Sequence, residues 1–482
     1  MSEQINIRSE ALKALTMILE EKRPSHLVIR ETLAALPGLD RRDRAFFTRL
    51  CEGTVEQLLR IDYVLAQCSS VPVRKMKPLI RTLLRMSVYQ LLFMDSVPDS
   101  AVCNEAVRLA GKRGFSGLKG YVNGVLRSVC RLDREKTLPP RGKNEHEYLS
   151  IYYSAPLWLV DYLAECYGEE KAEKILSGFL AERPLTVRMN LSRGRREDII
   201  GSLENQGVTV KPVFAESTLN PEDSAVSEKT DLRTEKSENG NESTDIFQEA
   251  LALENTGNPA GLAAMKDGLI QVQDIASMLP VFAADIRPGE TVVDVCAAPG
   301  GKTLHAADIL AGSGNVISRD LSAEKVRMIQ ENIDRSKLTG ITAQVHDATV
   351  FDPELEGKAD VVIADLPCSG LGIIGKKPDI KYRMDKAQID ELAALQRQIL
   401  TAVSRYVRPG GRLIFSTCTL SREENQENRE WFLNQFPEFK PLPITDGHFS
   451  VFGEASVGEG YIQLVPGIHP CDGFFVAGFV RK

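Results

Sequence analysis

The stretch Asp294-Val295-Cys296-Ala297-Ala298-Pro299-Gly300-Gly301-Lys302-Thr303 decides the fold. It begins at the end of an apolar run, 291–295, with the β-branched content of a buried strand, and it ends inside a segment, 302–310, of helical periodicity. Small residues at 297, 298, 300 and 301 let the backbone come close to a ligand, and the start of the helix presents oriented N–H groups. The Gly-Lys-Thr ending resembles a phosphate-binding loop, but that loop needs glycine at position 296, where this chain has Cys296. A purely structural strand-to-helix turn is the alternative if the motif stood alone.

Strand and helix patterns continue to alternate downstream. Strands are expected at 315–318, 341–345, 360–364 and 412–416, with helices over 323–336, 388–406 and 422–435 between and beyond them. Such alternation predicts a parallel sheet covered on both faces, with ligands at the carboxyl ends of its strands. Three acids stand at such ends: Asp320, Asp347 and Asp365. Asp320 lies about twenty residues past the glycine-rich turn, where a carboxylate can accept hydrogen bonds from both hydroxyls of a ribose. Asp347, followed by Ala348-Thr349, is placed to meet an adenine edge. A lone acid at a strand end is more often a helix cap; three in succession favour a nucleoside-bearing cofactor. Two cysteines occupy equivalent places, Cys368 in Asp365-Leu366-Pro367-Cys368-Ser369-Gly370 and Cys418 in Ser416-Thr417-Cys418-Thr419, with Glu423-Glu424-Asn425 beyond. Either alone reads as a small buried hydrophobe; together they face the region where such folds do chemistry.

Upstream, the pattern is helical from Ile7 to about Leu132, punctuated by Pro24, Pro37-Gly38, Pro72, Pro98 and the glycines between 111 and 117. Residues 1–143 hold 25 Lys and Arg against 15 Asp and Glu, a balance of +10 within a chain whose net charge is -7. A basic module on an acidic body suggests a polyanion-binding appendage, with Arg41, Arg42, Arg44, Arg49, Arg74, Lys75 and Lys77 as phosphate contacts, although solvated helix faces would look the same. Helices are expected again over 148–167 and 169–180, then a strand at 186–190 and a helix over 195–206. Residues 216–249 carry 10 acidic and 3 basic side chains and a single aromatic. They read as a disordered insertion, too polar to offset the entropy of ordering.

At 482 residues the chain has room for about three domains. Its 43% apolar and 26% charged residues exclude a wholly disordered or fibrous chain. No apolar run reaches the ~18 residues of a membrane span, and Met1-Ser2-Glu3-Gln4 opens no signal peptide, so no membrane association and a cytoplasmic location are expected. The nine cysteines form neither CxxC pairs nor zinc spacing, and no metal is expected.

The set CAAPGGKT, DLPCSG and STCT followed by EEN resembles the RNA cytosine-5 methyltransferases that use S-adenosylmethionine. The first 135 or so residues resemble a NusB-type RNA-binding domain, as in the bacterial branch acting on 16S ribosomal RNA. The stretches 183–190 and 268–277 resemble the small domain ahead of the catalytic one. One departure is Leu366, where the family commonly has a smaller residue or proline. The resemblance implies three domains: an all-α NusB-like domain (1–138), a small α/β domain (145–285) carrying the insertion at 216–249, and a Rossmann-like α/β methyltransferase domain (286–482). It also implies Cys418 as the nucleophile that adds to cytosine C6, Cys368 as the group assisting product release, and Asp365 as the holder of the base. S-adenosylmethionine would be bound by Cys296, Ala297, Ala298, Pro299, Gly300, Gly301, Lys302, Asp320, Asp347 and Asp365. The implied substrate is 16S ribosomal RNA in free or early-assembly form, at cytosine 967 in the customary numbering, acted on by a monomer. A sister enzyme for another rRNA or tRNA cytosine is the rival within this class. A non-catalytic antitermination factor, which would not need the two cysteines, is the rival outside it.

Overall fold

The computed structural model describes residues 5–142, 144–213, 247–444, 449, 451–453 and 457–482. These group into two compact units, one formed by Met1–Ala181 with Ile373–Asp385, the other by Glu182–Gly372 with Lys386–Lys482.

The first unit is helical. Helices Ile7–Leu19, Ser25–Ala34, Arg41–Glu56, Leu58–Cys68, Pro78–Phe93, Asp99–Lys112 and Lys119–Arg131 follow the apolar spacing of the sequence. Leu12, Leu15, Ile18, Leu83, Leu84, Val88 and Leu126 meet in one core. Local chemistry sets the helix starts: Asn6 and Asp40 accept the Ser9 and Asp43 N–H groups, and Pro78 sits in a first turn where its missing N–H costs nothing. The single helix expected over 148–167 is two, Glu145–Tyr152 and Leu157–Tyr167. Pro156 disfavours helical backbone at the residue before it, and Ser154 takes a positive φ of 51°. These helices and Glu169–Gly178 group with the helical unit.

Residues 373–385 also belong to this unit, although they follow the Pro-Cys motif in sequence. Lys381 is buried and donates to the Glu56 carbonyl at 2.9 Å; Tyr382 Oη donates to the Ser154 carbonyl at 2.8 Å. Burial pulls the Lys381 ammonium down to about 7.

The second unit holds two sheets. Strands β1 (Leu185–Met189), β2 (Thr209–Lys211), β3 (Ala250–Glu254) and β4 (Ile270–Val272) form an antiparallel sheet in the order β2-β3-β1-β4. Of the insertion expected to be disordered, 216–246 lies outside the described residues, but 247–249 are part of the fold. Phe247 is fully buried with its ring edge-on to Phe282, and the Glu249 carbonyl accepts the Met189 N–H. The one aromatic of that polar stretch is thus a core residue, and its apolar surface orders the residues around it.

The remaining strands are β5 (Thr291–Asp294), β6 (Asn315–Asp320), β7 (Ile341–Val345), β8 (Ala359–Asp365), β9 (Val407–Thr417), β10 (Phe439–Pro441), β11 (Val457–Gly458), β12 (Tyr461–Leu464) and β13 (Phe474–Arg481). Among the described residues they make one sheet of order β11-β12-β13-β9-β8-β5-β6-β7, with β10 on β13. Strands β7, β6, β5, β8 and β9 run parallel, as expected. Strands β10 to β13 are antiparallel additions, so the sheet is mixed rather than parallel. The order reverses beside β5, between β6 and β8, which opens the crevice where such sheets bind ligands. The small sheet is fastened to the helix that leaves β5. Asp308 accepts the Leu191 and Ser192 N–H groups, both at 3.0 Å, and pairs with the fully buried Arg188 at 3.5 Å.

Candidate active site

The turn after β5 is drawn toward β6 by its own backbone. Ala297 N–H donates to the Arg319 carbonyl at 2.9 Å, and Ala298 N–H to Asp320 Oδ2, also at 2.9 Å. Gly300 has a φ of 106°, a conformation costly for any residue with a Cβ, and the helix Gly301–Leu310 begins directly after it. A Cβ on Gly301 would make ordinary contact with the Gln273 side chain, at 3.7 Å. Beneath it Asp294 is fully buried and accepts from Thr303 Oγ1 at 2.7 Å while its Oδ1 has no partner. Burial pushes its carboxyl up to about 7. Cys296 is a neutral thiol, raised by burial and by the carboxylates of Asp320, Asp294 and Asp365.

The acids differ in kind. Asp320 is nearly buried, and besides the Ala298 N–H it accepts the Leu321 N–H at 2.7 Å. Asp347 is exposed, two residues past β7, and accepts the Thr349 N–H and hydroxyl at 2.9 and 2.7 Å, which holds its carboxyl below the usual range. Asp365 ends β8; Lys302 Nζ donates to its Oδ2 at 2.6 Å and Ser416 Oγ to its Oδ1 at 2.8 Å. Lys302 also lies over the Phe474 ring, 5.4 Å from its centre. Glycine-rich turn, ribose-type acid and carboxylate at the switch point together fit a nucleoside cofactor with a charged amino-acid end.

The two cysteines meet, with Cys368 Sγ 3.3 Å from Cys418 Sγ and both half-buried. The hydrogen bond to Cys418, then burial, raises the Cys368 thiol well above its ordinary value. Either sulfur can be the donor of the hydrogen bond between them. Leu366 is buried in a core cluster against which Cys296 of the turn also packs.

Behind the cysteines stands a polar layer whose roles the sequence did not disclose. Glu424 is fully buried and accepts the Ser369 N–H at 2.9 Å, the Ser369 hydroxyl at 2.5 Å and Gln396 Nε2 at 3.0 Å. Gln396 also donates to the Pro367 carbonyl and accepts from Asn428. Asn425 ties Thr417 and the Thr419 carbonyl to Gln463. One signal was present: Gln396 falls on the buried stripe of helix Lys386–Val403, with Ile389, Ala393, Leu400 and Val403, where a polar residue needs a partner.

Comparison with known proteins agrees with this geometry. Residues 281–480 match the family described as 16S rRNA methyltransferase RsmB/F, residues 5–131 the NusB family, and residues 155–220 an RsmF/B-like ferredoxin-like domain. The chain is 32% identical over 480 residues to the probable ribosomal RNA small subunit methyltransferase B of Bacillus subtilis, covering 99% of both. It is 27% identical to the ribosomal RNA small subunit methyltransferase B of Cronobacter sakazakii, covering 100% of both. Among solved structures, that of PH0851 superposes with a TM-score of 0.77 at 27% identity over 100% of each chain.

Proposed function

Because this chain belongs to the 16S rRNA methyltransferase RsmB/F family and is an rRNA methyltransferase, we propose that it methylates C5 of a cytosine in 16S ribosomal RNA, cytosine 967, through a covalent bond from Cys418 to C6. Cytosine C5 is a weak nucleophile. A thiolate added at C6 moves electron density onto C5 and divides one hard step into easier ones. S-adenosylmethionine supplies the electrophilic methyl group when bound. The chain's part is to hold it, by the turn from Cys296 to Lys302 and by Asp320, with Asp347 beyond.

The observation that carries this reading is the 3.3 Å approach of the two sulfurs beside the Lys302–Asp365 pair. By the family pattern the attacking thiol is Cys418, and the raised Cys368 thiol beside it supports that division of labour. Once Cys418 is bound to C6 it is a thioether that carries no charge. Cys368 can then give up its proton to solvent and take the one leaving C5, after which the C6–S bond breaks and its electron pair returns to Cys418. Asp365 accepts from the amino edge of the base, and its Lys302 and Ser416 partners keep it oriented. The cytosine must be flipped out or already unstacked, since C5 and C6 are shielded in a helix. The exposed basic residues of the helical unit hold RNA phosphates, and the protein acts as a monomer.

Transfer of labelled methyl to 16S RNA, with denaturing electrophoresis of the protein, tests the reading. Cys368→Ala should accumulate a protein–RNA adduct, and Cys418→Ala and the double variant should form none. An adduct with Cys418→Ala would make Cys368 the nucleophile. Activity in both single variants with no adduct would overturn the covalent route.

A further inference from the structure

We propose that Glu424 is the positioning residue that sets Cys368 against Cys418, acting through the hydroxyls of Ser369 and Thr419. This rests on the reading of the two cysteines as a working pair. Ser369 and Thr419 each follow a cysteine directly, and their hydroxyl oxygens are 2.6 Å apart. The donors in this chain have one consistent direction. Glu424 accepts both the Ser369 hydroxyl, on Oε2, and the Ser369 N–H, on Oε1. With its proton so committed, Ser369 Oγ can only accept from Thr419, whose own oxygen receives the Ser421 N–H at 3.3 Å.

The two cysteine-bearing backbones, one leaving β8 and the other leaving β9, are thereby joined one residue beyond each sulfur. Gln396 adds a second tie on the Cys368 side, from Glu424 Oε1 to the Pro367 carbonyl. Glu424 is wholly buried, and among the described residues no cation lies within ion-pair distance of it, so hydrogen bonds from neutral donors hold it. A buried carboxylate kept on such terms is costly. A staple could be made from neutral groups, whereas a carboxylate alone accepts from all these donors at once and adds negative charge beside Cys368 that favours its protonated form.

Cross-linking of the two thiols by diamide in the full-length protein measures the positioning directly, with the Cys368–Cys418 peptide quantified by mass spectrometry. Thr419→Val and Ser369→Ala break the hydroxyl chain without stranding a charge, and each should slow this cross-link about tenfold, whereas Thr419→Ser should stay within about twofold of the unaltered protein. Glu424→Gln, which faces amide hydrogens with an amide, should slow it as well and should accumulate the RNA adduct as Cys368→Ala does. If Thr419→Val and Ser369→Ala cross-link at the unaltered rate and only the melting temperature falls, Glu424 is a structural staple and the proposal fails. If the cross-link slows as stated but no variant, Cys368→Ala included, traps RNA, the positioning stands and the covalent reading of function fails instead.

Discussion

Replacing Asp320 by alanine removes a carboxylate that serves two ends. The proposed role is to accept from the cofactor's ribose, and loss of one charge-assisted hydrogen bond costs about 1.5–3 kcal/mol, roughly 10- to 150-fold in Kd. The structure adds a second cost. Asp320 also accepts the Ala298 N–H at 2.9 Å and the Leu321 N–H at 2.7 Å; Leu321 is exposed, so water can replace the carboxylate there, whereas the half-buried Ala298 N–H is left without its acceptor when the side chain is cut. One stranded donor destabilises the unliganded protein by about 1–3 kcal/mol. The Lys325 ion pair at 2.9 Å is made by a half-exposed ammonium and adds little. Affinity and stability must therefore be measured together, by calorimetric titration with S-adenosylhomocysteine and by thermal melting. Asp320→Asn separates the two costs, since its carbonyl oxygen can still take the Ala298 N–H while the charge is gone. It should keep most of the melting temperature and still bind at least about tenfold more weakly. Unchanged affinity in Asp320→Asn would refute the ribose assignment, and an unchanged melting temperature in Asp320→Ala would refute the account of the turn.

Phe247→Ala should destabilise the protein by about 3–5 kcal/mol in chemical denaturation, as expected for truncating a fully buried ring, whereas excising 216–246 should be nearly neutral. A cost below about 1 kcal/mol for the alanine would return residue 247 to the insertion. His146 donates to Asp161 at 2.6 Å and lies 3.0 Å from Glu169, and these carboxylates raise it above the ordinary 6.5. Its contribution to stability is therefore fully present below about pH 6.5 and lost as pH rises through the raised value, so the difference between His146→Gln and the unaltered protein should shrink on going from about pH 6 to pH 9. A difference that grows with pH would mean the pairs do not hold the imidazolium. Reversing Arg41, Arg42 and Lys75, all exposed, to glutamate should weaken RNA binding and lower the slope of log K against log salt by about one for each phosphate no longer neutralised. An unchanged slope would make the +10 charge a solvated face. Removing residues 1–135 outright is a poorer test, because Lys381 is buried and Tyr382 half-buried in that helical unit.

The parallel core of the large sheet was legible because its signals are local. Apolar runs of strand length, glycines at a turn and helical periodicity each depend on a few neighbouring residues, and β5 to β9 lie where that pattern put them. The antiparallel strands β12 and β13 were not legible, because a lone apolar run such as Phe474–Arg481 carries no mark of direction or partner. Residues 373–385 were missed for a related reason: nothing in Lys381-Tyr382-Arg383 signals burial, since lysine is ordinarily at the surface.

The candidate site divides along the same line. The residue types able to do the chemistry, a glycine-rich turn, acids at strand ends and two cysteines in distinct motifs, are properties of short segments that can be read in order along the chain. That the two cysteines meet, that Lys302 pairs with Asp365, and that Glu424 and Gln396 stand behind both motifs depend on distances between segments up to 63 residues apart. Hydrogen bonds and pKa shifts are set within a few ångströms, and sequence separation says nothing of those distances until β8, β5 and β9 lie side by side. Sequence alone thus determined which residue types this protein brings to the chemistry, and the tertiary structure decided which of them stand together.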